Sequence, residues 1–370
     1  MDKEILKKYA RLLVHYCVEL KPKDRLFVRT TLLAEPLVRE IYAEATKLGA
    51  VVEIDFKFQG QDKIFYEHAT EFQLNEPPVL MKKAMEEFDA YLYIKAPYDL
   101  NETDGIDLSK KQVRSKALAP LNKIYFERTA DRSLPDALKR SLCQYPTQAA
   151  ADAAEMTLEE YAEFVFNACH LYAEDPEGEW LKVRKQQQRI KEYLDKVDNV
   201  RYKADHTDIS FSVAERTWIN SDGQTNMPSG EVFSGPVEDS VNGKVHFTFP
   251  SIYMGKDVRG ITLWVENGKV VKWDAEEGKE LLDAVFEIPG ANYFGEVAIG
   301  TNYQIQRATR NILFDEKIGG TIHMAVGQAY KQTGGTNQSS IHWDMITDMS
   351  ESGEIWADEV LIYKHGKFLI

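Results

Sequence analysis

The chain has 370 residues, 44% of them apolar and 28% charged, the balance of a folded globular protein rather than a disordered or fibrous one. That length exceeds the size at which a single core stops growing, so two domains are expected. A net charge of −14 makes the average surface repel phosphate backbones and anionic membranes, which argues against nucleic-acid and membrane partners.

Residues 1–24 place Ile5, Leu6, Tyr9, Leu12, Leu13, Tyr16 and Cys17 at helical spacing with charges between them. The opening segment therefore predicts an amphipathic helix and lacks the continuous apolar stretch of a signal peptide. No apolar run reaches the roughly 20 residues that span a bilayer, and a cytoplasmic location is the resulting expectation. Next come β-rich runs at 25–30, 51–58 and 90–96 around a helical pattern at 34–50 that closes on Gly49, a C-cap residue. Strand alternating with helix predicts a parallel α/β sheet.

Two long helices follow. One is opened by Thr157 with Glu160 three residues on, a capping box, and the other runs on from Pro176. After about residue 198 the texture becomes short runs such as DISFSVA, KVHFTFP, ITLWVE and KVVKW, with Asn-Gly at 242–243 and 267–268 as hairpin signals and one helix near 275–287. The expected organisation is an α/β N-terminal domain over 1–198, including the bridging helices, and a mainly β C-terminal domain over 199–370. Cys17, Cys143 and Cys169 are odd in number and form no CxxC pair, which predicts reduced structural thiols instead of disulfides or a zinc ribbon. The sequons at Asn101 and Asn337 would matter only in a secreted chain.

The common catalytic signatures fail. There is no GxGxxG, no GxxxxGK[ST] and no GxSxG elbow, and Cys169 beside His170 on a predicted helix would point elsewhere. The segment 319–346 is different, with two of the eight histidines set among Gly, Ser, Thr and Asn. In IHWDM, His342 and Asp344 are two apart, so on a strand both leave the same face and can converge on one cation. His323 stands between apolar neighbours, where a lone histidine is more often a hydrogen-bonded core residue. Upstream, Glu231 and Glu296 each sit in a Gly-Glu-Val pattern in a Gly-rich setting. Each alone reads as a glutamate beside a turn; together they supply oxygen donors to complement the imidazoles.

The segments NMPSGEVFSGP, FGEVAIGTN, LFDEKIGGTIHMAVGQAY and SSIHWDMI, in that order, resemble those of the thermophilic-type metalloaminopeptidases, the family of aminopeptidases T, S and PepS. The resemblance implies a metal-dependent aminopeptidase acting on peptides with a free N-terminus. It implies a dinuclear site on Glu231, Glu296, His323, His342 and Asp344, and a catalytic tyrosine at Tyr330, seven positions after His323. It also implies a homodimer. Mixed carboxylate and imidazole ligation suits zinc, cobalt, manganese or magnesium. Asp344 is the expected bridge between two ions, Tyr330 an oxyanion donor, and Glu296 or Glu316 the general base, with an ion pair to Lys317 as the structural alternative for Glu316. A closed metal site in a binding protein, or a hydrolase of another amide, are the rival readings.

Overall fold

The computed structural model describes residues 1–253 and 255–370 of the chain. It divides into two compact units, Met1–Glu177 with Gly223–Pro228, and Gly178–Asp222 with Ser229–Ile370.

In the first unit the run RLFVRTT buries Leu26, Phe27 and Val28 and forms the strand Arg25–Thr31. It pairs in parallel with Val51–Lys57 on one side and Ala90–Lys95 on the other; Lys139–Gln144 and Asn226–Met227 complete an all-parallel sheet of five strands. Buried on both faces, such a sheet needs helices to cover it. The helix Glu35–Leu48 turns Leu37, Val38, Ile41 and Ala45 inward and ends at Gly49, whose φ of +87° is the left-handed C-cap expected there. The opening helix Lys3–Arg11 is capped by Asp2 and buries Ile5, Leu6, Tyr9 and Ala10 as the spacing predicts. The Thr157–Glu160 capping box forms at the head of the helix Leu158–Ala168. All three cysteines are buried and free.

The second unit is mainly antiparallel. An eight-stranded sheet runs, in spatial order, 269–274, 262–266, 242–246, 207–212, 199–204, 354–357, 360–364 and 367–368; a five-stranded one runs 342–348, 321–327, 294–300, 231–234 and 219–221. Tyr202, Phe211, Val245 and Leu263 of the first sheet share one core with Val297, Ile299, Ile322, Met324 and Met345 of the second. This is the sandwich solution, in which alternate residues of two sheets interdigitate. An α/β domain with a parallel sheet and a mainly β domain thus match the expected fold class.

Three details differ from expectation. Asn267-Gly268 makes the turn between 262–266 and 269–274, but Asn242-Gly243 lies inside the strand Asn242–His246, paired on both sides. A Cβ at Gly243 would come within 2.2 Å of the Asp208 carbonyl, so glycine is there for close backbone approach, not for a hairpin. The expected helix near 275–287 is shorter, Lys279–Phe286. A division at 198 would leave the helix Pro176–Leu194 with the first domain, yet from Gly178 onward it groups with the second unit. Its buried Gln187 donates to the Glu231 carbonyl at 3.1 Å and accepts from Thr301 Oγ1 at 2.7 Å, and Ile190 and Leu194 join the sandwich core. No helix among the described residues is long and apolar enough to cross a membrane.

Candidate metal centre

Four neighbouring strands of the five-stranded sheet carry Glu231, Glu296, His323, and His342 with Asp344. Strand alternation sorts the residues. Val297, Ile299, Ile322, Met324 and Met345 point into the sandwich core, which leaves Glu296, His323, His342 and Asp344 on the opposite face. Small residues face most of them across the ladder: Ala325 pairs with both Glu296 and Asp344, Gly327 with His342 and Gly300 with Glu231, while His323 stands between Ala298 and Ile346. Directly opposed side chains lie about 5 Å apart, so small partners keep the space between the polar groups open.

Both Gly-Glu dipeptides have a steric reason. Gly230 has φ +120°, and a Cβ there would lie 2.7 Å from Asn302 Cβ. Gly295 sits at a register shift between Phe294 and Glu296, where a Cβ would meet the Gln328 carbonyl at 2.4 Å. Such a bulge re-aims the side chain that follows it.

The five groups converge. His323 Nε2 is 3.2 Å from Glu296 Oε1 and 3.3 Å from Glu231 Oε2; His342 Nε2 is 3.4 Å from Glu296 Oε2 and 3.5 Å from Asp344 Oδ1. Each oxygen of Glu296 therefore faces a different histidine. The Gln328 carbonyl lies 2.7 Å from His342 Nδ1; a proton on that nitrogen leaves Nε2 as the free ligand atom. Three sets of donor atoms lie within 4.8 Å of one another: Glu231, Glu296 and His323; Glu296, His342 and Asp344; and Glu316, His323 and Asp344.

Sequence reasoning gave Glu316 a secondary place and saw Lys317 only as its partner. The Lys317 side chain is completely buried, with Nζ 3.3 Å from Glu231 Oε1 and in close contact with Glu316 Oε1. An ion pair and membership of the cluster therefore hold together for Glu316. The sole signal in the sequence was the Glu-Lys dipeptide, which carries no mark of burial. Tyr330 follows the strand of His323 and is 44% exposed, its ring centroid 4.8 Å from that of His342 and 5.8 Å from that of Phe233.

Four carboxylates thus meet one fixed cation at a largely buried spot. Glu231 Oε2 and Asp344 Oδ1 are buried and accept no well-formed hydrogen bond, their nearest nitrogens being the imidazole Nε2 atoms at 3.3 and 3.5 Å. Buried charge needs partners, and this donor set of carboxylate oxygens and imidazole nitrogens is one that divalent cations satisfy. The proton equilibria express the same demand. Burial lowers the pKa of His323, but the Glu296 hydrogen bond and the charges of Glu231 and Glu296 outweigh it and lift the imidazole to about 9. Against the same burial, Asp344 and Glu296 raise His342 to about 12. For Asp344 burial is overcome by His342, His323 and Lys317, and its carboxyl falls to about 2. Burial lifts Glu316 to about 8 although Lys317 pulls it down. Partial burial and the surrounding carboxylates keep the Tyr330 phenol protonated well above its ordinary range.

Residues 2–368 match the profile of the thermophilic metalloprotease (M29) family. The chain belongs to that family. Aminopeptidase 2 of Geobacillus stearothermophilus is 31% identical over 355 residues, covering 88% of this metalloprotease and 84% of its own length. In structure, the wild-type AmpT from Thermus thermophilus is similar over 100% of both chains, with a TM-score of 0.85 and 22% identity. So is a 2,5-dihydroxypyridine dioxygenase from Pseudomonas putida KT2440, at a TM-score of 0.59 and 12% identity over 100% of this chain and 98% of that one. At these identities the two structures speak for the fold, and a fold does not choose a reaction. Membership of the family does: the chain is a metal-dependent peptide hydrolase.

Proposed function

We propose that this metalloprotease is a cytoplasmic, homodimeric aminopeptidase that removes N-terminal residues from peptides at a two-cation centre in its C-terminal unit. The observation that carries the reading is the double convergence on Glu296. One of its oxygens completes a set with Glu231 and His323, the other a set with His342 and Asp344. In this reading Glu296, and not Asp344 as expected from the sequence, would help hold both cations, and Asp344 would join His342 in holding one of them. Held by these residues, a pair of divalent cations, zinc, cobalt, manganese or magnesium, would supply Lewis acidity for activating water and polarising a carbonyl.

The chain's own groups do the rest. Glu316, which also stands in a donor set with His323 and Asp344, is held there by Lys317 and would take a proton from the attacking water and pass it to the leaving amine. Lys317 holds Glu316 and Glu231 in place and offsets part of their charge. Tyr330, protonated and half-exposed beside His342, donates a hydrogen bond to the oxyanion that forms on the scissile carbonyl. A free α-amine in its neutral form is a nitrogen donor that such a centre would accept and an N-acylated amide is not, which favours substrates with a free N-terminus.

The discriminating experiment compares a short peptide with its N-acetylated twin at equal metal loading. Cleavage of the free-amine peptide alone is expected. Equal rates would remove the aminopeptidase assignment while leaving an amide hydrolase in place.

A further inference from the structure

The parallel sheet of the first unit carries charge where such a sheet is ordinarily apolar on both faces. Toward the amino ends of its strands, Phe27 and Tyr91 pack with Met85 and Leu121 of the helices Val79–Glu87 and Leu108–Thr129. Two residues further along, on the same face, stand Arg29 and Tyr93, and the strand on the other side of Arg29 sets Asp55 beside it in register. This is also where the sheet changes direction: the second strand lies on one side of Arg25–Thr31 and the third on the other. Open α/β sheets bind ligands by the carboxyl ends of their strands at such a reversal. Arg29 and Asp55 line a cavity of about 870 Å³ there, the size of a ligand pocket, with Phe65, Phe72, Leu80 and Met81 as apolar wall.

Arg29 is poorly satisfied. Its Nε is buried and makes no hydrogen bond among the described residues, standing 3.4 Å from Asp55 Oδ2, and its Nη1 has Met81 Sδ, a weak acceptor, at 3.9 Å. The other cations lining the cavity are engaged. Lys57 Nζ holds both oxygens of Asp62 at 2.8 and 2.7 Å, Lys111 donates to the Thr103 carbonyl at 2.7 Å, and Arg114 to the Leu74 carbonyl at 3.3 Å. A buried donor without an acceptor is costly, and a ligand oxygen would remove that cost. On the wall, Phe72 is 72% and Leu80 68% exposed, apolar surface that a bound side chain would take out of water.

We propose that the first unit binds a free apolar α-amino acid, with its carboxylate on Arg29, its ammonium on Asp55 and its side chain against Phe65, Phe72 and Leu80. Opposite charges set side by side complement a molecule that carries both of its own on one carbon. A peptide separates its end charges by at least one further residue, about 3.8 Å along the chain, and would satisfy only one of the two groups. The site does not depend on the aminopeptidase reading, under which a free amino acid would be the enzyme's own product.

The test is calorimetric titration of the metal-loaded full chain with L-phenylalanine, in wild type, Arg29→Met and Asp55→Asn at equal metal content. Wild type is expected to bind one equivalent that each variant binds about tenfold or more weakly, the range for one hydrogen bond to a charged group. N-acetyl-L-phenylalanine and L-phenylalaninamide, each lacking one charge, should be weakened at this site to a similar extent. Phenylalanine held at the metal centre would be untouched by either substitution, so identical titrations of the three proteins overturn the site. If Arg29→Met does not fold, Asp55→Asn, which keeps the shape of the side chain, decides alone. Binding of Phe-Phe as tight as that of phenylalanine, and equally sensitive to Asp55→Asn, overturns the amino-acid assignment. Absence of peptide cleavage would sink the aminopeptidase reading and leave these titrations as they stand.

Discussion

Glu296 is buried between two histidines, one for each of its oxygens, so removing it takes a donor from two sets at once. Glu296→Ala is expected to lower bound metal and activity together. Tyr330→Phe keeps the ring packed on Phe233 and His342 and deletes only the hydroxyl, so metal content should hold while kcat falls on the order of 10²–10³, the usual loss for one oxyanion donor. Near-normal kcat in Tyr330→Phe would return that residue to packing alone. The raised imidazoles make a further prediction at this scale. With His323 lifted to about 9 and His342 to about 12, a cation binding at neutral pH must displace their protons. Apparent metal affinity should therefore rise with pH toward 9, about tenfold per unit for each proton displaced, and calorimetry in buffers of differing ionisation enthalpy should register proton release. A pH-independent affinity without release would contradict the protonation pattern.

At the level of elements, the sheet face holds the cluster because the strand period and small cross-strand partners act together, and the bulge at Gly295 aims Glu296. Gly295→Val would drive a side chain into the Gln328 carbonyl. It should destabilise the protein by about 1–3 kcal/mol in urea unfolding, as overpacking does, and weaken metal binding as Glu296 is displaced. A variant with wild-type stability and metal content would show that the bulge has no aiming role. The same elements decide what could be read in advance. The two-residue spacing of His342 and Asp344 and the period of Glu35–Leu48 survive in one dimension because strand and helix periods are local. The helix Leu108–Thr129 was not read in advance: only Leu121 on it is fully buried, and Leu118, Ile124 and Tyr125 beside it are only partly covered. Lys139–Gln144 reads KRSLCQ, with charges at its start and no β-branched residue, and becomes a strand through its neighbours in the parallel sheet. The burial of Lys317 and its contact with Glu231 were not legible because they join residues far apart in sequence.

For the whole molecule, the cluster lies on the sheet face turned away from the sandwich core, which is built from residues of both sheets and owes nothing to the ligands. Loss of metal is thus expected to cost activity and leave the fold, unlike a closed structural site whose removal unfolds a small domain. The likeness to AmpT and to a dioxygenase along nearly the whole chain shows how little the architecture itself dictates the chemistry, which lies in a few side chains on one sheet. The most direct test is a titration of chelator-treated protein, verified as folded by circular dichroism, with a divalent cation while release of the N-terminal residue from a free-amine peptide is followed. The expected result is no activity without metal, an unchanged fold throughout, and a rise in rate that saturates at two equivalents per chain. Full activity in the metal-free protein, or saturation at one equivalent, would contradict the two-cation centre.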